Sequence, residues 1–91
     1  MTEFHAHPDV LTRKVGEEIV LVHMGRNTIY SLNVTGARLW ELWSEGMSRT
    51  DAVEQLPLEF DVPRETVEAE ADRLLELLQR EELGGFDSAG S

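Results

Sequence analysis

The 91-residue chain contains no cysteine, which excludes disulfides, thiolate metal sites and a cysteine nucleophile together. Its longest unbroken apolar run is Ile19-Val20-Leu21-Val22, far short of the ~20 residues that cross a bilayer, and no basic segment followed by an apolar stretch opens it. Such a chain reads as cytoplasmic and free of the membrane. Basic residues are also scarce. Eight Lys and Arg stand against eighteen Asp and Glu, a formal net charge of -10 that disfavours nucleic acid and anionic lipid and favours a basic or neutral partner.

The means of catalysis are missing too. Of the three histidines, His5 and His7 would project to one side of a strand but have no third ligand, so they read as solvent-exposed side chains, and neither metal nor cofactor is expected. No glycines form a phosphate-binding loop: Gly36 stands alone at a helix start, and Gly84-Gly85 follows a helix. The carboxylates Glu65, Glu68, Glu70, Asp72 and Glu76 alternate with an apolar stripe and read as its solvated face. Among them Asp72 is the candidate to rim a groove and meet a basic partner. Trp40 and Trp43 read as core, because each buries a large area in a chain with few other aromatics.

What remains is a small globular domain, 41% hydrophobic and 29% charged, with one core. Strands are expected at 10–15, 18–24 and 27–32, separated by turn signals at Gly16 and at Gly25-Arg26-Asn27, giving a three-stranded antiparallel meander. The second strand is apolar at four consecutive positions, as in a strand covered on both faces. The third alternates Tyr30 and Leu32 against Ile29 and Ser31, and is the candidate edge.

At Asn33 the period changes. Asn is a good N-cap, and residues 34–44 carry Ala37, Leu39, Trp40, Leu42 and Trp43 at helical spacing before Gly46. Ser48 with Asp51 caps a short second helix through Ala52, Val53 and Leu56, expected to end before Pro57. Pro63 opens a third, running to about Glu82, in which Val67, Ala71, Leu74 and Leu78 form a stripe widened by Leu75 and Leu77. Residues 1–9 and 84–91 are expected to be flexible, leaving 10–83 as the domain.

The stretch TIYSL, residues 28–32, has neither charge nor proline, and an unguarded edge can receive another strand. The chain's own terminus could cover it, or a second copy could pair with it as a weak homodimer.

The run Tyr30-Ser31-Leu32-Asn33-Val34-Thr35-Gly36-Ala37-Arg38-Leu39-Trp40, followed by Gly46, the connector before Phe60-Asp61 and a leucine-rich last helix with Asp72, resembles the PqqD family over about residues 10–83. The resemblance implies an α+β, winged helix-turn-helix-like domain with a three-stranded antiparallel sheet followed by three helices. It implies a RiPP recognition element: a non-catalytic protein that binds the leader of a ribosomally made precursor peptide and presents it to modifying enzymes.

By position, the leader would add beside Thr28, Ile29, Tyr30, Ser31 and Leu32, against a helix wall of Val67, Glu68, Ala71, Asp72, Leu75 and Gln79. The acidic third helix and polar amino terminus favour the lasso-peptide type, with a leader peptidase of the cysteine-protease class, and the cyclase as a further partner. The alternatives are a PqqD-type chaperone of pyrroloquinoline quinone biosynthesis and a winged-helix DNA-binding regulator. Against the latter, the second helix offers Arg49 among Asp51, Glu54 and Glu59.

Overall fold

The computed structural model describes residues 3–86. In chain order its elements are β1 (Phe4–Ala6), β2 (Val10–Val15), β3 (Glu18–His23), β4 (Thr28–Leu32), α1 (Val34–Ser44), α2 (Arg49–Glu59), α3 (Arg64–Arg80) and β5 (Gly84–Phe86). Two reversals make the meander. A two-residue turn has Gly16 at φ 65°, and a longer turn closes on Asn27 at φ 55°, a left-handed conformation that asparagine tolerates better than most side chains. The sheet order is β2-β3-β4 with continuous antiparallel register, so β2 and β4 are both edges.

One face of this sheet meets the helices. Ile19, Leu21, His23 and Leu32 are buried there, whereas Val20 and Val22 on the outer face are only half-buried. The apolar run in β3 is therefore not covered on both faces: its outer row, Leu11–Val22–Ile29, looks outward across all three strands.

Asn33 caps α1 as its side chain suggests, its Oδ1 accepting from the Gly36 amide at 2.8 Å. Ser48 caps α2 in the same way, accepting from Asp51 N–H at 3.1 Å. α2 passes through Pro57 and ends one turn later than expected. Proline removes only its own N–H from the ladder, and the Phe60 amide still donates to Leu56 O at 2.8 Å from a turn anchored by buried Leu56. α3 stops at Arg80, where Glu82 takes φ 57° and the Leu83 amide returns to Leu78 O at 2.8 Å, a closing pattern that buries Leu83.

The ends carry strands that local signals did not suggest: where described, β1 and β5 pair antiparallel, Phe4 opposite Phe86. The cause is aromatic. Phe4 sits 5.1 Å from Trp40 edge-on and 5.6 Å from Trp43, and Phe86 lies 5.4 Å from Trp43, so the ribbon closes over the two core tryptophans. Gly84 permits the close approach, since a Cβ there would lie 2.8 Å from the His5 carbonyl oxygen. The remaining terminal positions, 1–2 and 87–91, lie outside the described residues.

Candidate functional site

The two sheet edges are not alike. β2 carries Arg13 and Lys14, the latter paired with Glu41 of α1 at 2.9 Å, and edge charge of this kind discourages strand addition. β4 carries none. β1 pairs with β5 and not with β4, so the described amino-terminal strand leaves this edge open.

The direction of the β4 backbone follows from the register. The Met24 amide donates to Asp9 O at 2.9 Å, just past the Val10–His23 pair, so even-numbered β3 residues turn their peptide groups toward β2. In a strand these directions alternate, hence Ile19, Leu21 and His23 turn theirs to β4 and bond to Leu32, Tyr30 and Thr28. The N–H and C=O groups of Ile29 and Ser31 are left aimed out of the sheet. Their side chains are exposed, Ile29 by 70%, while Thr28, Tyr30 and Leu32 turn toward the helices.

Facing this edge is one flank of α3. A groove of about 230 Å³ lies between Ser31, Leu32 and Asn33 on one side and Glu70, Arg73, Leu74 and Leu77 on the other, with Gly36 at its end. Two side-chain bonds span its ends. The Tyr30 hydroxyl donates to Glu81 Oε1 at 2.6 Å, and the Thr35 hydroxyl donates to Glu70 Oε2. Helical geometry explains the set: positions 70, 74, 77 and 81 recur at intervals of three and four on one face.

The helix-wall residues expected from sequence lie elsewhere. Val67 and Ala71 are buried in the core, 1% and 0% exposed. Glu68 pairs with Arg64 on its own helix at 3.2 Å, and Asp72 is held by Arg49 of α2. Leu75 and Gln79 line a different and larger hollow, about 770 Å³, with His5, Ala6, Arg49 and Phe86. None of the six expected wall residues lines the groove between β4 and α3; Asp72, Leu75 and Gln79 face α2 and the terminal ribbon. Glu70, Arg73, Leu74 and Leu77 were missed as wall residues. Leu77, widening the stripe on the side opposite Leu75, was the available signal.

The Tyr30–Glu81 bond perturbs both groups. By accepting from the hydroxyl, the carboxylate raises the Tyr30 pKa, and the same bond lowers that of Glu81. A depressed carboxylate contributes stability above its unfolded pKa that disappears as pH falls through its folded value. Tyr30→Phe should therefore raise the Glu81 pKa, read by carboxyl NMR titration, and flatten the loss of stability below about pH 4. An unchanged Glu81 titration would mean that the bond does not hold in solution.

Among the described residues no group of three or more His, Asp or Glu side chains is arranged to hold a metal, and no helix is long and apolar enough to cross a membrane. The groove offers backbone groups at a sheet edge, an apolar floor and a few charges, the equipment of a site that holds an extended peptide.

Residues 18–83 match the family described as Coenzyme PQQ synthesis protein D (PqqD), and the chain belongs to that family. Its structure is similar to that of TbiB1 solved in complex with the TbiA(beta) leader peptide, with a TM-score of 0.78, 29% identity, and coverage of 94% of this chain and 95% of that one. It also shares its fold with a lasso peptide synthetase B1 complexed with the leader peptide, at a TM-score of 0.81 and 23% identity over 90% of this chain and 96% of the other. No curated protein matches it in sequence.

Proposed function

We propose that the protein is a non-catalytic adaptor that binds the leader of a ribosomally synthesised precursor peptide, of the lasso type, and presents it to a leader peptidase. The leader adds to the sheet as a fourth strand, bonded to the outward peptide groups of Ile29 and Ser31. Its inward side chains descend onto Leu32, Leu74 and Leu77 between β4 and α3. The observation that carries this reading is the uncharged β4 edge, unpaired among the described residues, facing the Glu70–Leu77 flank of α3. The likeness to TbiB1, which was solved with a leader peptide, supports the ligand class.

The peptidase, a cysteine protease, and the cyclase supply the chemistry in this reading, and the adaptor supplies only affinity and position. A DNA-binding role is disfavoured because Arg49, the cation that α2 could offer to phosphates, is engaged by Asp72. The test is fluorescence anisotropy with the labelled synthetic leader of the precursor encoded beside the gene, and the core segment of that precursor as control. Saturable leader binding in the micromolar range or tighter, without core binding, is expected. Equal binding of both segments, or of neither, overturns the reading.

A further inference from the structure

Of the eight Lys and Arg side chains, six meet a carboxylate in the fold: Lys14, Arg26, Arg38, Arg49, Arg64 and Arg80. In a chain with ten excess negative charges this is the ordinary fate of a cation. Among the described residues Arg13 and Arg73 make no such pair, and Arg73 lines the β4–α3 groove.

Its isolation has a local cause. The neighbours one turn away on α3, at i−4 and i+4, are Ala69 and Leu77, which carry no charge. At i−3, Glu70 accepts the Thr35 hydroxyl, and at i+3, Glu76 faces Arg80 at 3.8 Å. The other two arginines of α3, Arg64 and Arg80, each meet a carboxylate on their own helix. Arg73 is thus an exposed cation lining the same groove as Ser31, with Glu70 and Glu81 toward either end.

We propose that Arg73 is a specificity-determining residue that binds an Asp or Glu side chain of the peptide held against β4. This rests on the groove reading above and adds to it the charge that the ligand must carry at one position. It also supplies what strand addition lacks. Backbone bonds are blind to sequence, so a peptide could slide along β4 in steps of two residues, about 7 Å each, and keep its ladder. An acidic side chain opposite Arg73 opposes such a slide, because a step either way carries it from the cation toward Glu70 or Glu81. A carboxylate elsewhere on the ligand meets a protein of net charge -10.

The experiment is a charge-exchange cycle measured by anisotropy with the cognate synthetic leader. Each leader Asp or Glu is replaced in turn by Asn or Gln and titrated against the wild-type protein and Arg73→Gln. One replacement should weaken wild-type binding by about three- to fivefold and have little further effect on Arg73→Gln, while Arg73→Lys retains part of the affinity. Arg73→Glu should lose more, and recover when the same leader position becomes Arg.

The coupling should shrink as salt rises. A leader without Asp or Glu, or a set of replacements whose effects are the same in both proteins, overturns the assignment to Arg73 while leaving peptide binding intact. Absence of leader binding to the wild-type protein overturns the groove reading itself, and this inference with it.

Discussion

Proline at Ile29 or at Ser31 should reduce leader affinity by about 30-fold or more while leaving the domain folded. Both residues turn their N–H groups out of the sheet, so proline removes a donor that β3 does not use. The peptide carbonyl that this donor would meet is left unpaired in a closing groove, at a cost of about 1–3 kcal/mol, and the ring obstructs the incoming strand. Ser31→Ala keeps the backbone donor and should bind nearly as the wild type does, which separates the main chain from the side chain. Circular dichroism and a urea transition close to that of the wild type establish that the fold survives. Undiminished affinity in both proline variants would place the leader elsewhere.

Trp43→Ala should have the largest effect on stability. Trp43 is 0% exposed and carries on its surface both Phe4 and Phe86, so its loss opens a cavity and removes the platform of the terminal ribbon. Truncating such an aromatic costs about 3–5 kcal/mol, against a total of about 5–13 kcal/mol for a domain of this length. Urea unfolding followed by the remaining Trp40 should show the midpoint falling accordingly. Amides of β5 should also exchange faster than those of β3, since the ribbon depends on Trp43 more directly than the meander does. A loss below about 1 kcal/mol would mean that the aromatic cluster is not the centre of the core.

Those two expectations rest on features of unequal legibility in the sequence. The meander and α1 could be read from local signals, because Gly16, Asn27 and Asn33 each impose a conformation on a few adjacent residues. The pairing of β1 with β5 could not, since it joins segments nearly the whole chain apart and its strands are three residues long. Gly84-Gly85 reads locally as a breaker, and only the presence of Phe4 and Phe86, two of the three phenylalanines, in otherwise polar ends hinted at an anchor.

The candidate site divides in the same way. The absence of charge in TIYSL marked β4 as receptive, and the buried stripe Val67, Ala71, Leu74, Leu78 marked the inner face of α3. Which flank of that stripe meets β4 depends on how α3 crosses the sheet, a property of topology that periodicity does not encode. Leu75 and Leu77 flank the stripe on opposite sides, and the packing of α2 against the 72–75–79 side leaves 70, 73 and 77 for the groove.

Strand addition at β4 is tested most directly by amide hydrogen exchange in the presence and absence of the cognate leader. In the free protein the Ile29 and Ser31 amides should exchange readily and the Tyr30 amide should be protected by β3. With leader bound, Ile29 and Ser31 should become protected and Tyr30 should change little. Tight leader binding that leaves Ile29 and Ser31 open, with new protection at His5 and Gly85 instead, would contradict the assignment and move the peptide to the hollow beside the terminal ribbon.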